Sequence, residues 1–172
     1  MAEQAAIYWS VVSRQGWNIL IAASSAGLCY ASSDGEPFEE MASWLAKRYP
    51  GCEFVRDDEK MEPYARELSE YLKGVRREFT VPLDLRGTPF QLAVWNALTE
   101  IPYGETTTYS NIAERIRKPS AVRAVGGAIG ANPALVFVPC HRVIGKDGSL
   151  TGFTGGIEMK KRLLGLEGSL VR

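Results

Sequence analysis

A cysteine followed directly by a histidine, Cys140-His141, is the pair in this sequence whose side chains could do nucleophilic chemistry. His141 is the only histidine in 172 residues, and Cys140 is one of three cysteines. The thiolate is the reactive form of cysteine, and a neighbouring imidazole can remove the thiol proton. The pair therefore indicates a nucleophile, with a buried cysteine beside a hydrogen-bonded histidine as the structural alternative.

The segments on either side predict how this pair is held. An apolar run, 134–139, precedes it and is predicted to be a buried strand. Because neighbouring strand residues point to opposite faces, the thiol and the imidazole would not bond directly. Further upstream, 106–116 and 121–131 are predicted to be two short helices joined by a tight turn, in the manner of a helix-turn-helix.

The second of these helices has an unusual composition. Ser120 is predicted to cap it, Arg123 is its one long side chain, and Gly126, Gly127 and Gly130 interrupt it. Glycine costs about 1 kcal/mol relative to alanine inside a helix, so these small residues require a reason. Two remain open: packing against another helix of the protein, and close approach to a narrow nucleic-acid groove with Arg123 as an inserted probe.

The remaining patterns place the chain in the α/β class. In the first half, strands are predicted at 6–12, 17–23, 27–32, 52–55 and 79–85, and helices at 37–49 and 62–75. In the second half, Thr88 is predicted to cap a helix over 89–101, and a last helix is predicted at 157–166. Arg86-Gly87-Thr88-Pro89 marks the expected junction between two domains, 1–85 and 86–172. Cys29 and Cys52 are interpreted as core residues of the first domain.

Charge and composition exclude several classes of protein. The net charge is zero, yet residues 1–85 carry 9 basic and 14 acidic side chains while residues 86–172 carry 11 and 6. A basic second half favours an anionic partner such as nucleic acid. No long apolar span or leader pattern is present, so we expect a cytoplasmic protein that does not enter a membrane. Three cysteines without metal-ligand spacing predict free thiols and no metal site.

The second half of the chain resembles the O6-alkylguanine-DNA alkyltransferases, which are single-turnover DNA repair proteins. The resemblance covers Thr88 to about Ser169, roughly half of the chain. Five blocks in matching order carry it: Arg123-Ala-Val-Gly-Gly127, Asn132-Pro133, Pro139-Cys140-His141-Arg142-Val143, Gly155-Gly156 and Leu163-Leu164…Glu167-Gly168.

This resemblance implies a fold and a partner. The first domain would be mixed α/β and ribonuclease H-like, and the second mainly helical with a helix-turn-helix of winged-helix type. The partner would be double-stranded DNA, met through its minor groove by a monomer, with cooperative binding along the DNA as an open question. The substrates would be O6-alkylguanine and O4-alkylthymine, and no cofactor is implied.

The resemblance also assigns roles to residues. Cys140 would accept the alkyl group, His141 would deprotonate it through a bridging water, and Glu167 would orient His141. Tyr109 would help to rotate the damaged nucleotide out of the duplex, and Arg123 would fill the space that it leaves. Further DNA contacts are implied for Ser120, Gly126, Gly127 and Arg142, and the base pocket and its support for Asn132, Val138, Phe153 and Thr154.

The sequence departs from the family at one position and leaves two other functions open. Phe153 stands where the family often has tyrosine, which removes one hydroxyl contact to the base. The first half has no histidine, so the zinc site of some relatives is not expected. The alternatives are a non-catalytic protein that binds alkylated DNA, and a thiol hydrolase using Cys140, His141 and Glu167. Neither alternative explains as many of the motifs.

Overall fold

The structure is a computed structural model that describes residues 5–150, 153 and 155–169. The chain divides into two compact units, Met1–Arg86 and Gly87–Arg172. Helices α1 to α6 span Phe38–Arg48, Glu62–Leu72, Pro89–Thr99, Tyr109–Arg115, Val122–Gly130 and Ile157–Leu166. Strands β1 to β6 span Ala6–Arg14, Trp17–Ser24, Gly27–Ala31, Glu53–Arg56, Thr107–Thr108 and Val143–Ile144. Within the described residues, no helix is both long and apolar enough to cross a membrane.

The first unit is built on a four-stranded sheet with the order β3-β2-β1-β4. β1 and β2 are antiparallel, whereas β4 is parallel to β1. The chain between β3 and β4 contains α1, whose buried face carries Met41 and Leu45 into the core. Cys29 lies in this core as predicted, but Cys52 is only partly buried against it.

Helix α2 ends earlier than its apolar pattern predicts. It stops at Leu72, and Val75, expected on the buried face, is 73% exposed. Gly74 adopts φ +80°, the left-handed conformation that ends a helix at low cost. The Gly74 N–H donates to Tyr71 and the Val75 N–H to Glu70, at 2.9 and 3.0 Å. The glycine at position 74 therefore ends the helix even though the next residue, Val75, is apolar.

The strand predicted at 79–85 is wrong. Within the described structure this segment forms one isolated β-bridge, between Leu83 and Leu28. Its start is held by Glu67, whose buried carboxylate accepts the N–H groups of Thr80 and Val81 at 2.8 and 3.2 Å. The apolar residues of this segment are partly buried in a loop that Glu67 holds, rather than paired in a sheet.

The second unit begins with α3, and its predicted start is confirmed. Thr88 and Gln91 form a reciprocal capping box, with the Gln91 N–H donating to Thr88 Oγ1 at 3.1 Å and the Thr88 N–H donating to Gln91 Oε1 at 3.0 Å. The buried Trp95 donates its indole N–H to the Ala128 carbonyl at 2.9 Å. This bond ties α3 to α5.

Helices α4 and α5 lie at the positions predicted for two short consecutive helices. They pack against each other and against α3. Thr108 caps α4, accepting the Asn111 N–H at 3.2 Å. The cap predicted for α5 is wrong: Ala121 occupies that position without a side-chain bond, and Ser120 is exposed in the preceding turn.

The strand predicted at 134–139 is also wrong. The segment is buried, yet its backbone turns back on itself, with the Val138 N–H donating to the Ala134 carbonyl at 2.9 Å. Val136 has φ +73°, a left-handed conformation that costs a β-branched residue on the order of 1–3 kcal/mol. Burial rather than strand pairing accounts for its apolar composition.

Candidate active site

Cys140 is the first residue of a short 3₁₀ turn, Cys140–Arg142, that leads into β6. It is 2% exposed, and its N–H donates to the Val138 carbonyl at 2.7 Å. This turn replaces the end of the expected strand. Opposite strand faces therefore do not determine how the thiol and the imidazole of His141 are oriented.

Asn132 fixes the segment that delivers the thiol. Its Nδ2 donates to the Val138 carbonyl at 3.0 Å and to Cys140 Sγ at 3.1 Å. Its Oδ1 accepts the Ala134 N–H at 3.0 Å. All of these atoms belong to buried residues, so one amide satisfies three buried groups and points a donor at the sulfur.

The Cys140 thiol is protonated at neutral pH. Burial raises its pKa to about 11, while the Asn132 hydrogen bond and the positive charge of Lys160 act in the opposite direction. A thiolate is therefore formed only when a base removes the proton. Once it forms, a hydrogen-bond donor and a cation are already nearby.

Lys160, on α6, is a site residue that the sequence analysis missed. It is 1% exposed, and its Nζ donates to the Val143 carbonyl at 2.6 Å. Burial lowers its pKa to about 8, against the opposing effect of Cys140. Its spacing from the buried Leu163 and Leu164 puts a cation on the apolar face of the helix, and that was the signal available in the sequence.

His141 and Glu167 form a buried pair. His141 Nε2 lies 2.7 Å from Glu167 Oε2, and both side chains have no exposed area. Burial lowers the pKa of His141, although the contact with Glu167 opposes this effect. The imidazole is consequently neutral near pH 7 and able to accept a proton.

Arg142 does not face solvent, and its implied contact with DNA phosphate is not supported. Its side chain is 7% exposed and donates from Nε to Glu167 Oε1 at 2.8 Å and from Nη2 to Glu167 Oε2 at 2.9 Å. Its Nη1 donates to the Ile101 carbonyl at 2.6 Å. The guanidinium is thus occupied inside the protein.

The face of α5 carries the residues implied in DNA contact. Arg123 is exposed, and Gly127 follows it by one helical turn on the same face. A Cβ atom at Gly127 would meet nothing within 4 Å, so no neighbouring side chain requires glycine there. Packing against a neighbouring part of the protein therefore does not require glycine at position 127.

Tyr109 packs against that helix. A Cβ atom on Gly126 would lie 3.9 Å from Tyr109 Cδ1, so the ring rests on the glycine at ordinary contact distance. Burial raises the pKa of Tyr109, and the nearby Cys140 raises it further. The half-buried phenol therefore contacts α5 and is near enough to Cys140 for the two groups to interact electrostatically.

Of the two remaining residues implied in the base pocket, the structure describes one. Phe153 is 8% exposed, and a Cβ atom on Gly155 would come within 2.7 Å of its ring, so only glycine fits beside it. Thr154, also implied in the pocket, lies outside the described residues. The described residues contain no group of three or more His, Cys, Asp or Glu side chains that could hold a metal ion.

Two family models match nearly the whole chain. Residues 7–85 match the ribonuclease-like domain of 6-O-methylguanine DNA methyltransferase. Residues 89–169 match the DNA-binding domain of the same family. The mixed α/β first unit and the mainly helical second unit correspond to these two domains.

Individual relatives agree along the full length. The chain is 59% identical over 161 residues to the inducible methylated-DNA–protein-cysteine methyltransferase of Bacillus subtilis, covering 94% of this chain and 90% of that protein. It is 42% identical to the enzyme of Methanosarcina acetivorans, covering 95% and 99%. The crystal structure of Mycobacterium tuberculosis OGT in complex with DNA superposes with a TM-score of 0.81 at 39% identity, covering 94% and 93%. The chain therefore belongs to the methylated-DNA–protein-cysteine methyltransferase family.

Proposed function

We propose that this protein repairs alkylated DNA by direct reversal, moving the alkyl group from O6 of guanine to Cys140. The observation that carries the proposal is a buried thiol that accepts a bond from Asn132 at 3.1 Å, next to a neutral histidine paired with a buried carboxylate at 2.7 Å. The sulfur would attack the alkyl carbon as the carbon–oxygen bond breaks. Guanine leaves with a proton, and a thioether remains on the protein.

The proton of the thiol would leave through His141. Since Nε2 contacts Glu167, the relay would run from the thiol through a water molecule to Nδ1. Lys160 and Asn132 would stabilise the charge that develops on sulfur. Each of these groups is fixed before substrate arrives, so little reorganisation accompanies the reaction.

The target base must come to the thiol, because guanine O6 lies on the pairing edge and cannot be reached inside a duplex. Flipping a nucleotide costs a few kcal/mol, and less for a lesion that pairs badly. Tyr109 and Arg123 would drive and hold this rotation. The contact of Tyr109 with Gly126 of α5 and its proximity to Cys140 support its part in guiding the base toward the sulfur.

We further propose that α4 and α5 act as a helix-turn-helix that enters the minor groove. That groove is only about 6 Å wide, which suits the open, small-residue face at Gly127 beside the exposed Arg123. Ser120 would add a contact from the turn before α5. The protein would bind as a monomer and would act on O4-alkylthymine as a second substrate.

A mass measurement tests the proposal. Incubation with duplex DNA containing O6-methylguanine is expected to add one methyl mass to the peptide containing Cys140, with one transfer per protein molecule. Nothing in the mechanism cleaves the thioether, so a second turnover is not expected. Absence of the adduct, or release of product beyond one equivalent, would contradict the function.

A further inference from the structure

Arg142 is a buried cation to which the reaction described above gives no task. Its Nε and Nη2 atoms meet the two oxygens of Glu167 at 2.8 and 2.9 Å, a bidentate pair. Nη1 is taken by the Ile101 carbonyl at 2.6 Å. With every edge of the guanidinium engaged inside the protein, its charge serves a neighbouring group rather than DNA.

The neighbouring group is the carboxylate that meets the histidine. Glu167 Oε2 accepts from Arg142 Nη2 and lies 2.7 Å from His141 Nε2. Oε1 also accepts the Gly104 N–H at 3.3 Å. Glu167 follows the last turn of α6, and its N–H donates to the Leu163 carbonyl at 3.1 Å, so the backbone of this residue is held in place. The direction of the carboxylate depends on the groups that bond to it. The two bonds from Arg142 set the plane of the carboxylate and the direction in which Oε2 faces the imidazole.

The charge of Arg142 also acts on the histidine. Burial is the largest influence and lowers the pKa of His141, Glu167 raises it, and Arg142 and Lys160 lower it again. Without Arg142, Glu167 would hold a proton on the imidazole more strongly. A histidine that is already protonated cannot take a proton from the thiol.

We propose that Arg142 is a positioning residue for alkyl transfer, holding the Glu167 carboxylate in place against His141 through its two-point contact. This role rests on the proposed function, because it matters only if His141 serves Cys140. It reassigns the arginine of the Pro139-Cys140-His141-Arg142 block from the DNA surface to the interior of the active site.

The test compares Arg142→Lys, which keeps the charge but loses the fork, with Arg142→Met, which loses both. Alkylation of Cys140 is followed by mass with free O6-benzylguanine and with duplex DNA containing O6-methylguanine. Arg142→Lys is expected to slow both reactions by the same factor, about tenfold, because lysine can replace only one of the two bonds to Glu167 and the carboxylate is then less well oriented. Arg142→Met is expected to slow both further. Affinity for undamaged duplex is expected to stay at the wild-type value.

The pH dependence separates positioning from simple loss of structure. With Arg142→Met, the acidic limb of the rate profile is expected to move to higher pH, since the His141–Glu167 pair then keeps its proton longer. With Arg142→Lys the limb is expected to stay in place. In a Glu167→Gln background, Arg142→Lys is expected to cause no further loss, because the arginine acts through that carboxylate.

Arg66→Lys is the matched control. Arg66 also pairs with a glutamate, Glu62 at 3.3 Å, but both side chains are more than half exposed. This variant is expected to react at the wild-type rate, because an exposed ion pair contributes little. Thermal unfolding of each variant shows whether it is folded, and Arg142→Lys carries the test if Arg142→Met does not fold.

Three results would overturn the role. One is a folded Arg142→Lys that reacts with free base at the wild-type rate. Another is a loss of DNA affinity with unchanged free-base reaction, which would return Arg142 to phosphate contact. The third is an additive loss in the Glu167→Gln background. If the wild-type protein itself gains no alkyl group at Cys140, the proposed function fails instead.

Discussion

Cys29 and Cys140 are equally buried, at 1% and 2% exposure, yet only one has surroundings suited to chemistry. Burial raises the thiol pKa at both positions, to about 12 for Cys29 and about 11 for Cys140. Burial in an apolar environment therefore makes a cysteine inert by default. A side-chain hydrogen bond lowers the pKa of both thiols, from Tyr49 at Cys29 and from Asn132 at Cys140, so what distinguishes the two is the sign of the nearby charge.

The charges near the two thiols have opposite sign. The second influence on Cys29 is the Asp84 carboxylate, which raises its pKa further, and this carboxylate also accepts the Tyr49 hydroxyl at 2.8 Å. Cys140 instead meets the Asn132 amide and the Lys160 ammonium, which both lower its pKa. The comparison teaches that a buried thiol becomes a nucleophile when its surroundings favour the anion and a base can reach it.

The largest effect is expected when the sulfur of Cys140 is replaced. Cys140→Ser is expected to abolish alkyl transfer, because a hydroxyl is a far weaker nucleophile than a thiolate at neutral pH. Duplex binding is expected to persist. Cys29→Ser is the matched control and should accept one alkyl group at Cys140. A Cys140→Ser protein that still becomes alkylated, or Cys29→Ser protein that does not, would contradict the distinction.

A second change removes the cation. Lys160→Met keeps the length of the side chain and loses the charge, so the pKa of Cys140 should rise. A rise of one unit reduces the thiolate fraction tenfold, and alkylation at pH 7.5 is expected to slow by about that factor. The measurement is the rate with free O6-benzylguanine across about pH 6 to 9, where the variant should recover as pH rises.

Lys160→Arg serves as the charge-retaining control and should react faster than Lys160→Met. Lys160→Met also leaves the Val143 carbonyl without the ammonium donor, at a cost of about 1–3 kcal/mol, so thermal unfolding is measured for both variants. Equal rates in wild type and Lys160→Met would show that the charge near Cys140 is not what separates it from Cys29.

A third change removes the donors. Asn132→Ala leaves the buried Val138 carbonyl and the Ala134 N–H without this partner, at a cost of about 1–3 kcal/mol, and it also slows transfer severalfold. Tyr49→Phe is the counterpart near Cys29, removing a hydroxyl from Asp84. It is expected to lower stability by about 1 kcal/mol and leave the transfer rate unchanged. Denaturant unfolding and alkylation rates check both.

The prediction with the smallest effect at neutral pH tests what the two thiols share. A thiol whose folded pKa is raised stabilises the fold below the unfolded pKa, and this contribution is lost as pH rises toward the folded value. For Cys29 the loss begins near pH 9 and continues toward about 12. Unfolding free energy should therefore fall by about 1.4 kcal/mol per pH unit from this group, and Cys29→Ser should flatten the curve. An unchanged slope would mean that burial does not hold this thiol protonated.

Much of the frame that positions these residues could be predicted from sequence. The Thr88 cap, α3 and the pair α4 and α5 follow from local rules that tertiary contacts do not override. The motif around Cys140 and His141 also pointed to the site. These features depend on residues close together in the chain.

The departures depend on contacts that are distant in sequence. The run 134–139 is apolar because it is buried, and periodicity cannot tell a buried irregular segment from a buried strand. The inward turn of Arg142 required Glu167, which lies 25 residues away. Lys160 is buried because its ammonium donates to the Val143 carbonyl, which lies 17 residues away in the sequence. For 134–139 the pattern predicts burial but not the partner, whereas for Arg142 and Lys160 it predicts neither.

The indole of Trp95 gives the second unit its own spectroscopic probe. Residues 87–172 contain one tryptophan, and its N–H is bonded to the Ala128 carbonyl inside α5 at 2.9 Å. The nuclear magnetic resonance signal of that proton depends on the length of this bond. A movement of α5 against α3, when DNA arrives or when Cys140 becomes a thioether, should therefore appear as a shift of a single line, without any label added to the protein.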